Sequence, residues 1–125
     1  MALITRFLFK EYLAGTQGTG GTAISEAVDL RDATGTTIGL TYTIASTNGT
    51  AGAGTAGSAT FEYQICPVFD GTYYTPINGT IGTAGDGSVQ RGGFTITPIP
   101  VPFMKIKAVV GTSNPAVITA ALHFR

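Results

Sequence analysis

Met104-Lys-Ile-Lys-Ala-Val-Val110 decides the fold. Met104, Ile106, Ala108 and Val110 alternate with Lys105, Lys107 and Val109. Successive side chains on a strand point to opposite faces, so this spelling sends four apolar groups to a core and both lysines to solvent. The pattern recurs outward from that stretch. Ile118, Ala120, Leu122 and Phe124 alternate with Thr119, Ala121 and His123; Phe61, Tyr63 and Ile65 with Glu62 and Gln64; Ile38, Leu40, Tyr42 and Ile44 with Gly39, Thr41 and Thr43. Residues 3–13, 24–30, 73–77 and 94–99 are further strand candidates, giving seven or eight strands in all. No window longer than one turn has a helical period. Antiparallel strands with one wet face predict an all-β protein, an antiparallel β-sandwich of jelly-roll or immunoglobulin-like character.

The residues between the runs agree with this. Asp70-Gly71 reads as a hairpin turn, with glycine supplying the positive φ that tight hairpins need. Gly111-Thr-Ser-Asn-Pro115 reads as the loop of a terminal hairpin. Pro98, Pro100 and Pro102 cannot donate to a ladder and mark an edge or crossover. Residues 15–22, 48–58 and 79–93 are rich in small side chains and read as mobile loops. The first of these separates an extended N-terminal arm and glycine hinge, 1–22, from a sandwich domain, 23–125.

Composition narrows the function. The chain has 125 residues, enough for one domain of ordinary size. Seven basic and seven acidic residues cancel, and charged residues are only 11% of the chain, under half the usual ~25%. Such a balance excludes a nucleic-acid binder driven by net positive charge. The 18 glycines and 21 threonines exclude a coiled coil or helical bundle, while 43% hydrophobic residues supply a core and argue against disorder. No apolar run approaches the ~20 residues of a membrane-spanning helix. The first ten residues lack a basic leader, and Arg6 interrupts their apolar run, so they are expected in the mature protein. Single Cys66 makes no intramolecular disulfide.

Chemistry-bearing motifs are sparse. Gly52-Ala-Gly-Thr-Ala-Gly57 fits G-x-G-x-x-G, yet a dinucleotide site needs a helix next, and 59–65 alternates as a strand. Asn48-Gly-Thr50 and Asn78-Gly-Thr80 are glycosylation triplets in form and turn formers in chemistry. His123, the only histidine, falls on an outer face; Cys66 would be a nucleophile only beside it. Among Glu11, Glu26, Asp29, Asp32, Glu62, Asp70 and Asp86 no pair stands out as an acid and base, and calcium ligation by Asp29, Asp32 and the Asp86 loop lacks the alternating oxygen ligands of an EF-hand. No catalytic, metal or cofactor-binding residue is assigned. Tyr73 and Tyr74 are adjacent on a presumed strand, so one is free to face outward; packing at the rim of the core is the alternative for either.

Three stretches carry a resemblance: Ala59-Thr-Phe-Glu-Tyr-Gln-Ile-Cys-Pro-Val-Phe-Asp-Gly-Thr-Tyr-Tyr74, Pro102-Phe-Met-Lys-Ile-Lys-Ala-Val-Val110, and the closing strand 116–124. Together they resemble small β-sandwich virion proteins of tailed bacteriophages, found as capsid decoration (cement) proteins, head fibres and tail components. The resemblance covers about the last 65 residues and brings no catalytic residue with it. It implies a structural protein on the capsid surface that binds the major capsid protein and itself, as a homotrimer or homodimer. It implies no cofactor, no nucleic acid and no membrane. A carbohydrate- or receptor-binding module of a fibre or tail is the alternative. Leu3, Ile4, Phe7, Leu8, Phe9, Tyr12 and Leu13 are too apolar to leave in water. The arm is therefore expected to pack on its own domain or to pair with a neighbour's sheet edge. The expected partner-binding residues are Leu3, Ile4, Phe7, Leu8, Phe9, Tyr12, Tyr73 and Tyr74.

Overall fold

Alternation becomes a sandwich once the strands choose partners. The structure is a computed structural model that describes residues 3–14, 21–35, 37–45, 56–87, 90–97, 101–110 and 116–125. These form nine strands: β1 (Ile4–Ala14), β2 (Gly21–Ile24), β3 (Val28–Asp29), β4 (Ile38–Ala45), β5 (Ala56–Cys66), β6 (Thr80–Gly87), β7 (Gln90–Ile96), β8 (Phe103–Val110) and β9 (Ala116–Phe124). One antiparallel sheet has the order β1-β9-β4-β7; the other runs β2-β8-β5-β6, with β3 also paired to β8. The described residues contain no helix.

The alternating runs supply the core as their period requires. Met104, Ile106 and Ala108 of β8, Leu40 and Ile44 of β4, Phe61 and Ile65 of β5, and Ile118 and Leu122 of β9 are fully buried. Rings bind the two layers together: Tyr42 lies 5.4 Å from Phe61 and 5.4 Å from Phe94 between centroids, and Phe61 lies 6.2 Å from Phe94. Such contacts add to the burial of apolar area.

This cluster explains a first departure from expectation. Residues 79–93 form β6 and β7, where their small side chains predict a loop. Gly82 faces Phe61 across the ladder, and a Cβ on it would sit 2.5 Å from Phe94 Cε1. Gly92 faces Tyr42, and a Cβ there would sit 2.6 Å from its hydroxyl. The glycines leave room for core rings approaching from neighbouring strands.

Residues 24–30 do not make one strand, because 25–27 interrupt them between β2 and β3. Buried Ser25 repairs the gap. Its N–H donates to the Ile106 carbonyl at 2.9 Å, and its Oγ accepts the Ile106 N–H at 2.9 Å. Residues 73–77 make no strand either, only an isolated bridge between Tyr74 and Ile65. The chain then turns at 76–79, where Gly79 N–H donates to Pro76 O, and returns along β5 as β6.

Gly111-Thr-Ser-Asn-Pro115 lies outside the described residues, as do 15–20, 46–55 and 98–100. β8 and β9 belong to different sheets and do not pair with each other, so they form no hairpin. Each is already paired on both sides, β8 to β5 and to β2 with β3, β9 to β1 and β4. Of the two placements expected for the leading segment, the structure has packing on its own domain: β1 is hydrogen-bonded along β9, from Ile4 opposite Phe124 to Ala14 opposite Ala116.

Candidate functional site

The apolar residues of β1 divide between two faces. Strict alternation would put Phe7 and Phe9 on one side. A bulge at Leu8 sets Phe7 opposite Ala121 and Phe9 opposite Ala120, which sends them to opposite faces. Phe9 is buried, and Ile4 and Leu8 pack against the core. Phe7 stands 64% exposed on the outer face, and Leu3 is exposed too. Tyr12 pairs with Ile118, and its side chain lies outside what is described.

Around Phe7, the outer face of the β1-β9-β4-β7 sheet is made of small and hydroxyl side chains. Thr5 of β1, His123 of β9 and Thr41 of β4 form a row across three strands: His123 Nδ1 lies 3.0 Å from Thr5 Oγ1, and Nε2 2.8 Å from Thr41 Oγ1. Hydroxyls donate or accept, so either neutral tautomer of the ring is satisfied. Next to this row is a shallow depression of about 110 Å³ lined by Phe7, Thr41, Thr43, Thr119 and Ala121. Lys10 Nζ lies 5.3 Å from the Phe7 ring centroid.

The outer face of the other sheet carries a small second cluster. Cys66, Phe103 and Lys105 point away from the main core, and the connection from β5 to β6 folds over them. Cys66 and Phe103 are thereby buried. Phe69 meets Phe103 edge-on at 5.6 Å, and the Arg31 guanidinium sits 5.3 Å from the same ring. Arg31 also grips Asp29, with Nη2 2.7 Å from Oδ2 and Nε 3.0 Å from Oδ1. Those hydrogen bonds hold the exposed Asp29 carboxyl down at about 2, from 3.8. Tyr73 donates its hydroxyl to Phe69 O at 2.9 Å, and Lys105 Nζ lies 4.4 Å above its ring. Burial, then Cys66 and Asp70, raise the Tyr73 hydroxyl above its ordinary value.

Of the two tyrosines, then, Tyr73 is packed and engaged, whereas Tyr74 is 53% exposed. Val68, Phe69 and Ile77 on the same connection are exposed as well. Sequence reading missed these three, because an exposed and a buried apolar residue look alike without alternation to sort them. An open groove of about 510 Å³ runs beside this connection, lined by Glu26, Phe69, Asp70, Gly71, Tyr73 and Lys105. Another, about 460 Å³, lies where β1 meets β2 and β3, with Phe7, Leu8, Ile24 and Val28 among its walls.

The remaining chemical candidates are dispersed. Cys66 and His123 face outward from different sheets, on opposite sides of the sandwich. Asp29 is taken up by Arg31. Among the described residues no three or more His, Cys, Asp or Glu gather as a metal site, and no helix is long and apolar enough to cross a membrane. Gly52-Ala-Gly-Thr-Ala-Gly57 lies outside the described residues up to Thr55 and continues into strand β5. No protein-family model matches the chain, and no curated protein matches it in sequence.

Proposed function

We propose that the protein is a structural virion component that decorates and stabilises a phage capsid, binding the major capsid protein and further copies of itself on the capsid surface. One observation carries this reading: large apolar side chains stand outward on a hydrogen-bonded frame, Phe7 on one face and Val68, Phe69, Tyr74 and Ile77 on the β5–β6 connection. Apolar surface of this kind is held out of water when a partner covers it. The protein acts by burying area and turns over no substrate. Nucleic acid and membrane have no part in the reading. Mixing purified protein with undecorated capsids and imaging them tests it. Saturable density at fixed lattice positions is the expected result, and bare capsids at saturating protein overturn it.

The groove at Glu26, Phe69, Asp70 and Lys105 favours a second reading, a carbohydrate- or receptor-binding module of a fibre or tail. Aromatic edges beside carboxylates and an ammonium suit a sugar. Glycan-array binding that disappears on Phe69→Ala, in the wall of that groove, supports this alternative.

A further inference from the structure

We infer that Asn78 is a self-modification site: the Asn78–Gly79 link rearranges through a cyclic imide whenever the turn at 76–79 opens. The inference goes beyond the proposed function and does not depend on it. Asn78 is exposed in this turn, between fully exposed Ile77 and buried Gly79. The reaction needs a side-chain amide as electrophile and the next backbone nitrogen as nucleophile. It also needs no side chain on the following residue to hinder ring closure. Asn78-Gly79 supplies them all. The Gly79 nitrogen loses its proton to solvent base and forms a bond to Asn78 Cγ. The Cγ–Nδ2 bond breaks, and the amide leaves as ammonia with a proton from water. Water then opens the imide at either carbonyl. One opening gives aspartate; the other gives isoaspartate, whose main chain runs through Cγ. Nothing is oxidised or reduced.

The fold governs the nucleophile. Gly79 N–H donates to Pro76 O at 2.9 Å, and Gly79 O accepts the Tyr63 N–H at 2.9 Å. While both bonds hold, the nitrogen keeps its proton and stays fixed; a backbone group so engaged is released by local opening. No larger residue can replace this glycine, because a Cβ would stand 2.6 Å from Thr75 Cγ2 and 3.0 Å from Pro76 O. The turn therefore requires the labile pair, and the turn's own hydrogen bonds guard it. Isoaspartate adds a carbon to the main chain and a charge beside it, so its turn cannot restore both bonds. The part that changes is the one that presents Ile77 and leads into β6.

Peptide mapping by mass spectrometry tests the inference on the full chain, aged in mildly alkaline buffer with and without guanidinium chloride. The amide-to-acid mass change is read at Asn78 separately from Asn48-Gly49. Asn78 should convert about tenfold or more faster in the unfolded chain. Ile77→Gly should speed conversion in the folded protein, since it loosens the turn and removes a side chain that is fully exposed. Circular dichroism checks that this variant folds; if it does not, the wild-type comparison decides alone. Equal rates in folded and unfolded chains, an unfolded chain that keeps Asn78 intact, or a folded Ile77→Gly that converts no faster overturns the inference. Capsid binding enters none of these readings, so the proposed function stands or falls apart from it.

Discussion

Gly71 shows how much a single missing side chain decides. Its N–H donates to Val68 O at 3.0 Å and closes the turn over Cys66. Its backbone is not in the left-handed region, contrary to the usual reason for glycine in Asp-Gly. Space is the reason, because a Cβ here would run into Cys66 Sγ and stand 3.2 Å from Val68 O. Gly71→Ala should therefore cost about 1–3 kcal/mol in urea unfolding, the usual range for overpacking. Adding Cys66→Ala should recover part of that loss; equal losses in single and double variants would show that the thiol is not the obstacle. Asp29 gives a second test at this scale. Its carboxyl is held at about 2 in the fold, below its ordinary 3.8. A depressed carboxyl contributes stability above the ordinary value and loses it as pH falls toward the folded one. The contribution should fade between about pH 4 and pH 2. An NMR titration of the carboxyl should give a midpoint near the low value, returning to the ordinary range in Arg31→Gln.

At the scale of elements, the break between β2 and β3 depends on one hydroxyl. Ser25 Oγ accepts the buried Ile106 N–H at 2.9 Å and donates to Glu26 O at 2.9 Å. Ser25→Ala leaves that N–H with no acceptor, which costs about 1–3 kcal/mol. Denaturant unfolding should show the loss, and the Ile106 amide should exchange faster with solvent. An unchanged exchange rate would mean that water or the backbone replaces the hydroxyl. The same element carries an edge strategy: β2 and β3 are short and interrupted, β1 is bulged twice, and neither offers a long flat edge to a stray strand.

For the whole molecule, the two sheets depend on one aromatic junction. Phe61 from the β2-β8-β5-β6 sheet meets Tyr42 and Phe94 from the other. Phe61→Ala should cost about 3–5 kcal/mol, as large-to-small changes at fully buried aromatics do. That is a large fraction of the ~5–15 kcal/mol that holds a typical domain together, so the variant should unfold at much lower denaturant. Folding speed follows from the topology. The first and last strands, β1 and β9, are direct neighbours, and no strand of the β1-β9-β4-β7 sheet pairs with the next strand in sequence. Pairings this distant place the protein among the slow two-state folders, in milliseconds to seconds. Stopped-flow refolding in microseconds would contradict that expectation.

The sequence by itself determined the class of fold. Period-two alternation in 38–44, 61–65, 104–110 and 118–124 is a local property of each strand, and all four became strands with the expected residues inside. Of the surface candidates named from sequence, Leu3, Phe7 and Tyr74 are exposed. Only the tertiary structure decided the rest. Phe9 joined Ile4 and Leu8 on the inner face because of a bulge against β9, a strand more than a hundred residues further along the chain. β6 and β7 hid as a loop because Gly82 of β6 makes room for Phe94 of β7, and Gly92 of β7 for Tyr42 of β4. β8 and β9 looked like a hairpin until each proved to be paired on both sides within a different sheet. Alternation tells which way a side chain points along its own strand; which strand lies next to it is fixed by contacts between residues far apart in the chain, and no local pattern encodes those.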